Sequence, residues 1–402
     1  MRAIPRSRPQ TGPVLLSAGF RPFFLLAALW ATLAVPLWLL VSVGHVNLPS
    51  KLPPQIWHTH EMVFGFGAAV VAGFLLTSIP NWTGRPSLQG GRLACLVAIW
   101  ATGRLAILFS GQIGAIATAV FDLLFPLVFL AVAAREIIGA GNWRNLPVLG
   151  ALALLMVANL LTHLDLLGLS ETAPFGGRLG IATLLMLITL VGGRIIPTFT
   201  RNWLVRERPG EPEPASFGAL DRFVLGLVGL TLGVWLCLDA TAVASWVELA
   251  GGIAIAVRLA RWRGEATFRE PLIWILHLGY GWLAIGFFFL ALSGFMPDLS
   301  KTTALHALTV GAIGTMTLAV MTRATLGHTG RPLTAGAGTT VIYGLITLAT
   351  IARVLVSFGG DYSVGWLCLS GGAWSGAFGL FTALYARPLI MPRTHGGAAQ
   401  AI

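Results

Sequence analysis

Charge is what this sequence lacks most: Asp, Glu, Lys and Arg make up 10% of its 402 residues, against roughly a quarter in soluble domains. That scarcity excludes a chain of ordinary water-soluble domains. Lysine is nearly absent, with Lys51 and Lys301 alone among 26 basic residues. Arginine therefore supplies almost the whole basic complement and the net charge of +11. The arginines punctuate apolar runs and do not gather in one soluble patch, so nucleic acid is not an expected partner. Cysteine is also sparse. Cys95, Cys237 and Cys368 form no CxxC pair and no disulfide framework, and each is expected as a small buried hydrophobe within an apolar run.

Apolar residues are abundant, at 56% of the chain with a mean hydropathy of +0.81. Runs of about twenty such residues are long enough to cross a bilayer as helices. Twelve can be read, at 20–43, 58–80, 91–110, 113–134, 146–168, 178–200, 220–238, 243–260, 271–294, 301–323, 335–358 and 363–385. Only a helix or a closed barrel satisfies its backbone in lipid, and these runs are far too long for barrel strands. The expected fold is thus all-α, a polytopic transmembrane bundle of 12 spans. It is read as one integral membrane domain over 1–402: a tail at 1–19, spans 1–6 at 20–200, a linker at 201–219, spans 7–12 at 220–385 and a tail at 386–402.

Arginines crowd one set of span ends, including Arg21, Arg85, Arg135, Arg201, Arg258, Arg331 and Arg387, whereas the other ends carry Lys51, Arg178 and Lys301. By the positive-inside rule both termini are expected in the cytoplasm. Short loops leave chemistry to the membrane itself, and the lipid bilayer is the first partner.

Histidine depth points to that chemistry. His58 and His60 open span two, His163 lies near the end of span five, and His306 lies near the start of span ten, all toward the outer face. Imidazole stays neutral in lipid and binds haem iron and copper well, so a shared layer of four makes a metal site as plausible as ordinary packing. His58 and His60, two residues apart, point in nearly opposite directions, so one faces the bundle and the other reaches in from the flank. Glu61 and Asp165 are placed either to hold an imidazole N–H or to sit at the wet interface. Arg104 and Asp122 are expected to pair near mid-membrane, and Arg353 toward the outer side suits a haem propionate. Arg194, Arg323 and His328 lie toward the inner side, where ion pairing is the plainer role. His277 is read as a packing residue.

Spans two and ten share a longer pattern. His60 precedes Thr83-Gly84-Arg85-Pro86 by the same 23 residues that separate His306 from Thr329-Gly330-Arg331-Pro332. Span six runs in the same direction and ends in Gly192-Gly193-Arg194-Ile195-Ile196-Pro197-Thr198-Phe199-Thr200-Arg201-Asn202. Helices two, six and ten are four apart, which suggests three four-helix units.

Together with Phe20-Arg21-Pro22-Phe23-Phe24, the run from His58 to Phe66, Gly73-Phe74-Leu75-Leu76-Thr77, Asn81-Trp82-Thr83-Gly84 and the stretch from Arg323 to Arg331, these motifs resemble the NnrS family from span one into span ten. The resemblance implies a multi-pass protein of the bacterial inner membrane, haem b and copper as cofactors, and a role in the response to nitric oxide. A looser likeness joins the layout to the catalytic subunits of haem-copper oxidases and nitric oxide reductases. Carried over by position, it makes His60 and His306 the axial haem ligands. Spans six and seven lack histidine, so the dinuclear centre of those enzymes is not expected. Copper then falls to His58 and His163 with His45 or Met62.

The functional expectation is a haem and copper membrane protein that binds, senses or turns over nitric oxide in nitrosative-stress defence. An enzymatic version, an oxidoreductase like nitric oxide reductase, would need electrons from quinol or a donor protein. The alternatives are a secondary transporter of an anion or metal-related solute, and a metal-delivery factor.

Overall fold

The computed structural model describes residues 12–238, 241–296 and 298–394. Its secondary structure among these residues is helical, without a strand. Twelve helices are long and apolar enough to span a membrane: α1 (Phe20–Ser42), α2 (Pro54–Thr83), α3 (Gly90–Leu108), α4 (Ala115–Gly139), α5 (Trp143–Leu166), α6 (Ala173–Glu207), α7 (Ala219–Cys237), α8 (Ala242–Ala260), α9 (Pro271–Phe295), α10 (Lys301–His328), α11 (Ala337–Phe358) and α12 (Gly360–Ile390). They correspond one to one with the twelve apolar runs.

Local sequence explains where these helices begin and end. Proline stands in the first turn of α2 and α9, where its missing N–H costs nothing. Side chains of Thr241, Glu270 and Ser300 accept from the first free amides of α8, α9 and α10. Gly84 and Gly330, the glycines of the repeated Thr-Gly-Arg-Pro motif, both take up left-handed backbone, with φ of 70° and 74°. That conformation ends α2 at Thr83 and α10 at His328, just before Thr329.

Three spans depart from regular α geometry, two of them, α2 and α10, directly after the histidine of the shared pattern. α2 is π-helical over Glu61–Gly67, α6 over Ile188–Gly192 and α10 over Ala307–Gly314. A π turn widens the helix and leaves main-chain carbonyls less well satisfied, so neighbouring side chains can claim them. In α2, Trp100 Nε1 donates to Gly65 O at 3.0 Å. In α6, Arg258 donates to Thr189 O at 3.1 Å.

The described residues divide between two compact units. The first takes those of Met1–Thr183, Ala324–Pro332 and Phe381–Ile402, the second Leu184–Arg323 and Leu333–Leu380. Small residues let helices approach closely inside each. In the first unit a Cβ on Gly73 would lie 2.7 Å from the Phe24 ring, and in the second a Cβ on Gly286 would lie 2.4 Å from Leu308. Large apolar side chains such as Ile116, Val120 and Leu127 of α4 are exposed, as a lipid-facing surface requires. The three cysteines share that surface: Cys95, Cys237 and Cys368 are exposed and not the buried hydrophobes the sequence suggested. Lipid solvates a small apolar side chain as well as a protein core does, so nothing drives them inward.

Candidate metal centre

The first unit contains a buried polar cluster fed by four helices. His60 is the last residue of the regular first turns of α2, and Glu61 opens the π segment behind it. Arg104 comes from α3, Asp122 from α4, and Asn159 and His163 from α5, four residues apart and so on one face. None of the six is more than 4% exposed.

Asp122 is the hub. Its Oδ2 lies 2.8 Å from His163 Nε2 and 3.2 Å from His60 Nε2, and it accepts from Asn159 Nδ2 at 2.8 Å. Its Oδ1 accepts from Arg104, whose other terminal nitrogen donates to Glu61 Oε1 at 2.6 Å. Glu61 Oε1 also accepts from His60 Nδ1 at 3.0 Å, and Asn159 Oδ1 lies 2.9 Å from His60 Nε2. Both ring nitrogens of His60 therefore face oxygen acceptors, an arrangement that suits an imidazolium in the metal-free chain.

Close helix contacts make room for this network. A Cβ on Gly103 would sit 3.0 Å from Asp122 Oδ1, so α3 and α4 meet where the Arg104 to Asp122 pair forms. A Cβ on Gly65 would sit 2.9 Å from both Arg104 and Glu61 Oε2. The π segment thus does two things at once: it offers Gly65 O to Trp100, and its glycine leaves space for the guanidinium.

With neutral imidazoles two carboxylates face one guanidinium, so the cluster is balanced only when a proton sits on His60 or a metal cation takes that proton's place. An uncompensated charge in so dry a place costs several kcal/mol, on the order of that for breaking a buried pair. Three buried polar atoms also have no hydrogen-bond partner: His163 Nδ1, Glu61 Oε2 and Arg104 Nε. The ligand atoms of His60, Asp122 and His163 all lie within 4.8 Å of one another. Two imidazoles and a carboxylate are a donor set for a transition-metal cation.

Sequence reasoning paired Arg104 with Asp122 and grouped the histidines, but it kept these as two sites at two depths. In the structure two of those histidines, His60 and His163, share one site with that pair. Asn159 was missed, although an amide one turn before His163 in an apolar run was a usable signal. Asp165 is no partner of His163. Its carboxylate accepts from Ala173 N at 2.8 Å and caps the start of α6, a role the loop between spans five and six made available.

The remaining predicted residues lie elsewhere. His58 stacks on Trp38 with ring centroids 4.4 Å apart, Met62 is part of the apolar cluster around Trp57, and His45 is exposed. His328 packs against Phe20, with centroids 5.4 Å apart. In the second unit, His306 Nδ1 lies 2.8 Å from Thr302 O on its own helix, and Arg353 is partly buried on α11. There Arg323 covers the ring of Phe199 at 4.1 Å, and Arg194 follows the π segment of α6. His277 packs as read, its Nε2 2.9 Å from Thr200 Oγ1. His395 lies outside the described residues.

No curated protein matches the chain. The pattern of spans, the glycine-ended Thr-Gly-Arg-Pro turns and the buried histidine cluster nevertheless accompany a match to one family along nearly the full length: over residues 14–393 the sequence matches the NnrS protein family, to which this chain belongs.

Proposed function

We propose that this chain is a copper- and haem-binding membrane protein that meets nitric oxide within the bilayer and serves in nitrosative-stress defence. The observation that carries the copper part is the buried convergence of His60, Asp122 and His163, whose ligand atoms lie within 4.8 Å of one another. A copper ion would take the place of the proton that His60 holds between its oxygen neighbours, with the two imidazoles as its principal ligands. His60, His163 and Asp122 would hold the metal. Glu61 orients His60 through Nδ1, as a carboxylate behind a metal-bound imidazole does. Arg104 bridges both carboxylates and holds them in place. When bound, copper supplies one-electron redox chemistry and an affinity for small diatomic ligands. Nitric oxide is small and partitions into lipid, so a buried site suits it.

For haem b, His306 is the residue we propose would hold the iron, with Arg353 as a partner for a propionate. The contact of His306 Nδ1 with the Thr302 carbonyl fixes the ring in the manner of an iron-bound histidine. Both nitrogens of His60 are engaged within the first unit, which supports copper over haem for that side chain. Reduction of nitric oxide would draw electrons from quinol or a donor protein. Membership of the family suggests the bacterial inner membrane, and the arginine distribution supports an orientation with both termini cytoplasmic.

The π segments of α2, α6 and α10 favour one competitor, a secondary transporter, because interrupted helices mark transport sites in membranes. The deciding experiment uses the full chain purified in detergent. Metal analysis with oxidised and dithionite-reduced spectra should find copper and haem, and nitric oxide should change the reduced spectrum. His163→Ala and Asp122→Asn should each weaken copper retention by about ten- to a hundred-fold while haem absorbance stays. A protein free of both cofactors that moves an anion across liposomes would replace this reading with transport.

A further inference from the structure

The two Thr-Gly-Arg-Pro turns have the same backbone but different surroundings. Arg85 of the first is fully engaged: its Nε is 3.0 Å from Glu136 Oε2, and it donates to Arg135 O at 3.1 Å. Arg331 of the second has no acidic partner, and its buried NH1 nitrogen has no hydrogen-bond acceptor. Other basic residues converge on it. The chain after α12 folds back so that Thr394 N donates to Thr329 O at 3.0 Å and Thr394 Oγ1 donates to Gly330 O at 2.9 Å. This brings Arg393 against Gly330, where a Cβ would lie 3.1 Å from the Arg393 stem. Arg21 approaches from the start of α1, its NH1 donating to the carbonyls of Leu389 at 2.7 Å and Met391 at 2.9 Å. The Arg21 guanidinium also lies over the Phe20 ring, 5.4 Å from its centroid, and the same ring packs on His328, which sets Arg21 beside that imidazole.

Among the described residues, no carboxylate pairs with Arg21, Arg331 or Arg393. Three guanidiniums and an imidazole gathered without an acid need an anion, and the orphaned Arg331 nitrogen points to where one is missing. We infer that Arg21, Arg331, Arg393 and His328 form a binding site for a phosphate group, supplied by an anionic phospholipid headgroup. Guanidinium forks match phosphate oxygens in pairs, which ammonium groups do not. The site lies at the arginine-rich ends of α1, α10 and α12, the ends the positive-inside rule places in the anionic cytoplasmic leaflet. Beside it the apolar side chains of Ile390 and Met391 are exposed, as contacts with acyl chains require. The site is independent of the proposed metal centre.

The test uses the full chain, stripped of lipid in detergent and titrated with phosphatidylglycerol, phosphatidylcholine or inorganic phosphate, with bound adducts counted by native mass spectrometry. Wild type should retain phosphatidylglycerol over phosphatidylcholine. Arg331→Gln should weaken that binding about five-fold, and the double variant Arg331→Gln, Arg393→Gln about 25-fold. Arg85→Gln, in the self-satisfied copy of the motif, should bind like wild type. If inorganic phosphate binds with the same dependence on Arg331 and the lipids are not distinguished, the site stands and its ligand is free phosphate. Equal binding by wild type and a monodisperse double variant, equal losses in Arg85→Gln, or no phosphate-dependent binding at all would overturn the site. Arg331→Lys, which keeps the charge and removes the fork, should lie between wild type and Arg331→Gln.

Discussion

Each compact unit buries an arginine against a π-helical segment, and the two arginines are in opposite electrostatic situations. In the first unit Arg104 serves two carboxylates, Glu61 and Asp122, within a network of two imidazoles and an amide. In the second, Arg258 serves one carboxylate: its Nε donates to Asp221 at 2.9 Å, and its NH1 donates to Tyr280 Oη at 2.9 Å and Thr189 O. Asp221 has further support from Arg261 at 3.4 Å and from Gly218 N. The second cluster is thus closed by the Arg258 to Asp221 pair and by hydrogen bonds, with Arg261 reaching in from the exposed side, and it reads as a fastening between α6, α7, α8 and α9. The first sets two carboxylates against one guanidinium and is balanced only through a proton on His60, which a metal ion can replace. Burial of charge alone does not mark a functional site; burial of charge whose balance rests on an exchangeable proton beside a second imidazole does.

The largest effect expected from this contrast comes from removing each arginine. Arg104→Ala leaves two carboxylates facing each other in a dry site, a loss on the order of 3–5 kcal/mol or more by the cost of breaking buried pairs. We expect little monodisperse protein and a sharply lowered Tm in detergent. Arg258→Ala leaves Asp221 with Arg261 and a main-chain amide, so the protein should survive with a smaller drop in Tm. Equal damage in the two variants would mean that the second cluster is no more self-sufficient than the first.

Next in size is the response to a cation. Copper added to metal-free wild type should raise Tm, by roughly 3 kcal/mol of stabilisation at a hundred-fold excess over Kd. The His163→Ala and Asp122→Asn variants should lose most of that rise. His277→Ala, in the second unit, should keep it. A rise unaffected by His163 and Asp122 would move the copper elsewhere.

The sequence made the architecture legible because hydropathy and length alone specify spans, and all twelve appear. The Arg104 to Asp122 pair was equally legible, since two opposite charges deep in adjacent apolar helices have few other partners. The union of that pair with His60 and His163 was not. Depth counted from the first apolar residue starts α2 at His58, whereas the helix begins at Pro54, so His60 lies about 6 Å further along it than the start of the run implies. The π turns were invisible for a related reason. They shift which side chains face the bundle after them, and a helix that is apolar all round carries no periodicity to reveal the shift. The same all-round apolarity hid the outward orientation of Cys95, Cys237 and Cys368.

The smallest effect tests the glycines that let each arginine in. A methyl on Gly193 would fall 2.2 Å from Arg258 NH2, and one on Gly65 would fall 2.9 Å from Arg104 NH1, Glu61 Oε2 and, at 3.0 Å, Trp30 Nε1. The first obstruction is nearer, yet it meets the far end of one flexible side chain. The second meets three side chains at once, two of which, Arg104 and Glu61, are tied to each other by an ion pair. Gly65→Ala should therefore cost about 1–3 kcal/mol, the usual range for overpacking, with Gly193→Ala at or below the lower end of it. Thermal unfolding of both variants in one detergent checks the order. If Gly65→Ala also weakens copper retention while Gly193→Ala leaves it unchanged, the space beside Arg104 is tied to the metal centre, and the contrast between the two clusters extends from charge to shape.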